Sequence, residues 1–281
     1  MVDIGATASQ LRDAAAKDVR AAQHLIDGGF LDQAAYLAGH AVEMAIKARW
    51  CVLNGYPRLT KAAVRGLKQD PHNLDRLLTL ADGQQIVRAR FTAIDWGALK
   101  SWGNEDRYRA RGLVSLETAK ARVAQSEAVI STLAQFELHR CLSNFAQQGA
   151  ANGSISAFAL LRNTQGALFD ILIASKLLSD PIRGPVFRHG FVGSINALIP
   201  PDLRLLIGNY EFANAEHPRA NLVYHLAAAN PGVFSVTDSI VVGGPNMPRV
   251  RYSGLFHMAR IKTIGLDDFH EAFILVAVSP E

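Results

Sequence analysis

Two groups of residues have types and spacings that could do chemistry. In the first, Glu43 and Lys47 stand at i and i+4 with the acid first, the favourable order for a pair on one helix. Tyr36 and His40 extend them into a single polar stripe. Two readings of the stripe are open. It is either a solvated face whose ion pair is worth roughly a few tenths of a kcal/mol, or the lining of an interhelical groove that helps to hold an anion.

The second group is made of arginine–histidine pairs. Arginine stabilises negative charge and histidine moves a proton, which is the combination that cleavage at a phosphodiester requires. Arg65/His72, Arg183/His189, Arg219/His225 and Arg251/His257 each stand with five or six residues between them. With 21 Arg and 9 His in the chain, roughly two such matches arise by chance, so the count favours none of them. Arg219 and His225, within PRANLVYHLA, are the best placed because that segment reads as a helix. The plainer reading there is an exposed arginine and an ordinary histidine.

Other chemistries lack their signatures. Five histidines lie at 189, 217, 225, 257 and 270, but neither HxxxH nor HExxH occurs. Glu216-His217 and Asp268-Phe269-His270-Glu271 are loose neighbours only, and no metal site is expected. Cys51 and Cys141 form no CxxC, which excludes a thiolate zinc site and a disulfide framework. Without GxGxxG, GxxxxGK[ST] or GxSxG, the chain offers no local case for dinucleotide binding, a P-loop or an α/β-hydrolase. No cofactor is expected. Gly243-Gly244-Pro245-Asn246 reads as a hairpin turn, and Arg249–Tyr252 holds too few aromatics to argue base stacking.

These residues need elements to position them. Apolar spacing predicts a first helix from Ser9 to Asp27, with Leu11, Ala15, Ala22 and Leu25 on one face and Gly28-Gly29 ending it. A second helix, with Asp32 as N-cap, runs to Asn54 and carries the seam Leu37, Ala41, Met44, Ala48 and Cys51. Shorter helices fit Asn73–Ala81 and Gln84–Ile94. A long one fits Ser115–Leu138, with Leu116, Ala119, Val123, Ile130 and Leu133 inward. Short loops between such helices imply an antiparallel bundle.

The small, uncharged stretch Gln147–Ser156 reads as the joint between a helical domain, 1–146, and an α+β domain, 147–281. In the second domain, 155–179 and Pro218–Ala229 read as helix. From Val233 onward alternation (Phe234, Val236; Val250, Tyr252, Phe256, Met258) and the apolar run Ala272–Val278 suggest three strands in a small antiparallel meander.

Composition sets the class. The chain has 281 residues, 49% of them hydrophobic and 19% charged, as globular proteins do. The absence of an apolar leader and of a long uncharged apolar run predicts a cytoplasmic protein with no membrane partner. Residues 1–140 hold 19 Lys+Arg against 15 Asp+Glu, and 141–281 hold 10 against 10, so the net +4 lies wholly in the first half. It gathers at Arg58, Lys61, Arg65 and Lys68 and again at Arg107, Arg109 and Arg111. Such clusters track a phosphate backbone or simply solvate a loop.

The order of motifs carries a resemblance. Gly29-Phe30 precedes AAYLAGHAVEMAIKARW (Ala34–Trp50), Asp70-Pro71-His72-Asn73-Leu74 opens a Leu-rich helix, and Asp106-Arg107-Tyr108 precedes the last long helix. About half the chain thereby resembles HEPN domains. The resemblance implies a bundle of four or five helices, frequent homodimerisation, and association with nucleotides, RNA, or toxin–antitoxin and defence systems. It points to Glu43, Lys47, His72, Arg107 and Tyr108 as binding residues. Catalytic members of that family use an Arg and a His separated by four to six residues, late in the bundle. Here RYRARGLVSLETAK has no histidine in reach, which puts ribonuclease activity of the bundle in doubt.

Three functions are therefore in competition. One is a HEPN-type protein binding RNA or nucleotides, extending to a toxin or defence component and, if an enzyme, a metal-independent ribonuclease-like hydrolase. The second is a non-catalytic dimerisation bundle carrying a domain that senses a ligand or binds a protein. The third places an enzyme in the second half, with Arg219 and His225 as actors.

Overall fold

The computed structural model describes residues 5–66, 72–81, 93–108, 112–163, 168–214, 217, 220, 250–251, 255–257 and 269–278. It divides into two compact units, Met1–Glu137 and Leu138–Glu281. The architecture is α+β.

The first unit is helical. Helix α1 (Ala8–Asp27) starts in a capping box, in which Thr7 Oγ1 accepts from the Gln10 amide at 3.2 Å and Gln10 Oε1 accepts from the Thr7 amide at 2.8 Å. Its buried face is Leu11, Ala15, Val19, Ala22 and Ile26, which packs against α2 (Leu31–Leu53). Six alanines of α2 (34, 35, 38, 41, 45, 48) are buried, and their small size lets neighbouring helices approach closely. The predicted seam residues Ala41, Ala48 and Cys51 are buried, and Leu37 and Met44 partly so. Helices α3 (Lys61–Gly66), α4 (Leu74–Leu80), α5 (Ala93–Lys100) and α6 (Leu116–Ala151) follow. Asn73 caps α4 by accepting from the Arg76 amide at 3.0 Å, while the expected Gln84–Ile94 helix falls largely outside the described residues.

Several local expectations change. Asp32 lies inside α2 and does not cap it. Its carboxylate accepts from the amides of Gly112, Leu113 and Val114 at 2.7, 3.2 and 3.1 Å, tying the start of α2 to the loop before α6. Leu116 is exposed, since it sits in the first turn of α6, where side chains lie beyond the packed face. Helix α6 also continues through the expected joint to Ala151, because no breaker occurs before Asn152-Gly153, where Gly153 takes a positive φ of 73°.

The second unit contains a mixed sheet where helix was expected. Residues 155–179 include strands β1 (Ala157–Asn163) and β2 (Phe169–Ala174), paired antiparallel. The chain then runs through α7 (Arg183–Leu198) and α8 (Pro201–Arg204) to β3 (Ile207–Ala213), which lies parallel to β2. Strand β6 (Phe269–Val278) covers the other side of β1. Both β4 (Val250–Arg251) and β5 (Leu255–His257) pair antiparallel with β6. The order β3-β2-β1-β6-β4 is therefore mixed and not a meander, as a helical crossover between parallel neighbours requires. The positions Phe234, Val236, Tyr252 and Met258 lie outside the described residues. No helix among the described residues is long and apolar enough to cross a membrane.

Close packing of α2 gives a direct test. A Cβ on Gly39 would overlap the indole of Trp102, whereas one on Gly97 in α5 would meet nothing within 4 Å. Gly39→Ala is expected to destabilise the protein by about 1–3 kcal/mol and Gly97→Ala to be neutral or stabilising by up to about 1 kcal/mol, as read by urea unfolding.

Candidate functional site

The polar stripe of α2 turns inward. Glu43 is 1% exposed and Lys47 5% exposed, and the Lys47 ammonium donates to Glu43 Oε1. The single helical turn between them brings head groups together, and the alanines around them leave room for charge where longer side chains would fill it. His72, just before the Asn73 cap of α4, sets its Nδ1 at 3.1 and 3.2 Å from the two Glu43 oxygens. An ionised carboxylate only accepts, so this contact puts the proton on Nδ1 and fixes the ring's orientation. The His72 side chain is 42% exposed, so the buried pair carries an imidazole at the surface.

One turn earlier, His40 makes a second carboxylate–imidazole pair. Its Nδ1 lies 2.7 Å from Asp18 Oδ2 of α1, with both side chains partly exposed. The hydrogen bond to Asp18 raises the His40 pKa above its ordinary 6.5, against the opposing effect of burial; Glu43 adds to the rise and Lys47 reduces it. Tyr36 stacks on the His40 ring at 6.1 Å between centroids and leans on Trp102 at 5.9 Å. Asp18, His40, Glu43, Lys47 and His72 are thus one array: two oriented imidazoles beside a buried, mutually neutralised pair. Such an array offers a phosphate-bearing ligand two imidazoles, of which His40 holds its proton more tightly than usual because of Asp18.

None of the other sequence candidates has a described contact with it. Tyr108 is strongly exposed on a short 3-10 helix, Asn104–Tyr108, and the Arg107 side chain lies outside the described residues. That turn is held through Asp106, whose buried carboxylate is 4.0 Å from the Arg122 guanidinium. Arg58 donates to the Gly5 carbonyl at 3.0 Å, beside the bridge between Ala6 and Leu59. Arg65 is exposed on α3. Lys68 and the side chain of Lys61 lie outside the described residues, as do Arg219 and His225. Arg183 and His189 are both exposed on α7, where Arg183 pairs with Asp180 at 3.8 Å.

Sequence reasoning missed one member of the array, Asp18, and one buried cation outside it, Arg49. Asp18 carries no local signal, because its partner is 22 residues away. Arg49 is nearly buried on α2, donating to the Ala81 carbonyl at 3.2 Å and facing Glu137 at 3.7 Å; its place in the chain reads as an ordinary surface cation. No protein-family model, curated protein or solved structure matches the chain.

Two measurements test the array. The folded pKa of His40 lies above the unfolded one, so its contribution to stability is complete below about pH 6.5 and is lost as pH rises through the folded value. Wild type is expected to lose more stability between acid and alkaline buffers than Asp18→Asn, in which burial acts unopposed by a hydrogen-bonded carboxylate and the NMR-titrated His40 pKa falls. At the inner pair, Glu43→Ala leaves a buried ammonium and is expected to cost about 3–5 kcal/mol, whereas the double change Glu43→Met with Lys47→Met is expected to restore most of it.

Proposed function

We propose that the first unit is a HEPN-type module that binds RNA or a nucleotide at the face formed by Asp18, His40, Glu43, Lys47 and His72. The observation that carries this reading is the buried Glu43–Lys47 pair beneath two partly exposed histidines. Replacing a buried ion pair by apolar side chains is commonly neutral or stabilising, so stability alone gives little reason for the pair. What it provides is position: Glu43 holds His72 in one orientation, and Asp18 keeps His40 more protonated than an isolated imidazole. A group with perturbed titration, here His40, is more often found at functional sites than elsewhere. The net positive charge, which lies wholly in residues 1–140, favours the same class of ligand. The role is binding, since the pairing of Arg and His that the catalytic members of the family use is missing from the segment after Arg107.

A second reading, a dimerisation bundle, has its own observation. Phe30, Leu113 and Leu116 are exposed at the end of the bundle where Asp32 ties the start of α2 to residues 112–114. Exposed apolar residues grouped this way mark a surface for a partner.

Fluorescence anisotropy with a labelled single-stranded RNA and with AMP separates the two. Binding is expected to weaken as salt rises and as pH passes the His40 pKa, and to fall about tenfold in the His40→Gln, His72→Gln double variant. The double Met variant at 43 and 47 should fold yet bind more weakly. Replacing Arg58, Lys61, Arg65 and Lys68 together by Ala asks whether the basic loop contributes; unchanged affinity removes it from the binding face. Absence of any affinity at low salt, in a protein whose light-scattering mass is dimeric and becomes monomeric in Leu113→Ser, would replace this reading with the second.

A further inference from the structure

The second unit holds a cleft of about 300 Å³ formed only by its own residues. This is the lower end of the range, about 300–1,000 Å³, that small-molecule sites occupy. One wall is the C-terminal part of α6 and the turn after it, with Phe145, Gly149 and Ile155; the other is α7, with Phe187, Gly190 and Ser194.

Its floor is aromatic and fixed. Phe191 meets Phe145 edge to face, with centroids 5.0 Å apart and planes at 73°, and meets Phe158 and Phe212 in the same manner at 5.8 and 5.9 Å. Phe187 leans on it at 5.4 Å. Phe191, nearly buried and held by these neighbours, is a rigid apolar base beneath the half-buried Phe187 and needs no ordering when a flat molecule lands there.

The rim is polar, and among the described residues it carries no ionisable side chain. Asn152 accepts from the Ser154 amide at 3.0 Å, and the Ser154 hydroxyl donates to the Gly149 carbonyl at 3.2 Å. The Gln148 amide and the Ser194 hydroxyl are the other two neutral hydrogen-bonding groups at the rim.

Glycine gives the cleft its depth. A glycine within a helix costs about 1 kcal/mol relative to alanine, and Gly190 lies in the middle of α7. No packing demand accounts for it, since a Cβ there would meet nothing within 4 Å. A larger side chain at 190 would instead occupy the cleft.

We propose that this cleft binds an uncharged, planar heterocycle, laid on the Phe187–Phe191 surface with its hydrogen-bonding edge toward Gln148 and Ser194. The neutral lining among the described residues sets the class: a phosphate or carboxylate would find no counter-charge there and would lose its hydration. The site is independent of the phosphate-binding face in the first unit.

Saturation-transfer NMR and calorimetry on the full chain, with adenine, uracil and indole as probes and AMP as the charged comparison, test the proposal. At least one neutral probe is expected to bind with a Kd of about 1 mM or tighter, with little dependence on salt, and the signal should persist in the His40→Gln, His72→Gln double variant. Gly190→Leu is expected to weaken binding by about tenfold or more without lowering the unfolding midpoint, because the change raises helix propensity. Gly193→Leu, also a helical glycine with open space but outside the lining, should bind as wild type does. If Gly190→Leu lowers the midpoint, Ser194→Leu on the same exposed wall takes its place. The proposal is overturned if no neutral probe binds at about 10 mM, or if filling position 190 or 194 leaves affinity unchanged.

Discussion

Two opposite charges buried four residues apart on α2 constrain everything around them. An ion pair removed from water is tolerable only when its remaining hydrogen-bonding capacity is met and nothing competes for the space. Glu43 meets the first condition by accepting from both Lys47 and His72. The alanines of α2 meet the second, because they let α1 and the later helices close over the pair without long side chains in the way. The position of α4 follows from the same requirement. Its Asn73 cap fixes where the helix begins, and His72, immediately before that cap, is thereby set against Glu43.

Much of the helical unit was readable in the sequence because its signals are local. The period of Leu11, Ala15 and Ala22, the short leucine-rich helix beginning near Asn73 and the glycine stops each lie within a few residues of the structure they specify. The stripe on α2 was readable too, but its surroundings were not. Periodicity shows which residues share a face; it does not show whether that face meets water. Here Glu43 and Lys47 are covered while His40 stays partly exposed, and His40 owes its raised pKa to Asp18 on another helix. Asp32 shows the converse. It has the residue type and place of a helix cap, yet a loop 80 residues away offered three amides that bind it instead.

The second unit was less legible for a different reason. Strands β1 and β2 are central in the sheet, and their described side chains are buried on both faces or nearly so, from Ala157 to Leu161 and from Ile171 to Ala174. A strand covered on both sides loses the alternation of apolar and polar residues that distinguishes it from a helix. The long helix α6 blurred the boundary as well. Small residues that elsewhere make a linker are good helix formers when no proline or paired glycine interrupts them.

The strand order also bears on how the second unit matures during synthesis. Strand β1 pairs with β2, made almost at once, and with β6, whose residues 269–278 are translated about a hundred residues later. Until they emerge from the ribosome, one edge of β1 has no partner strand, and that edge belongs to an apolar run, Ala157–Leu161. An unpaired apolar edge of this kind invites pairing with a neighbouring nascent chain. The nascent protein therefore passes through an aggregation-sensitive window, bounded by the synthesis of β1 and of β6, in which chaperone capture would matter most.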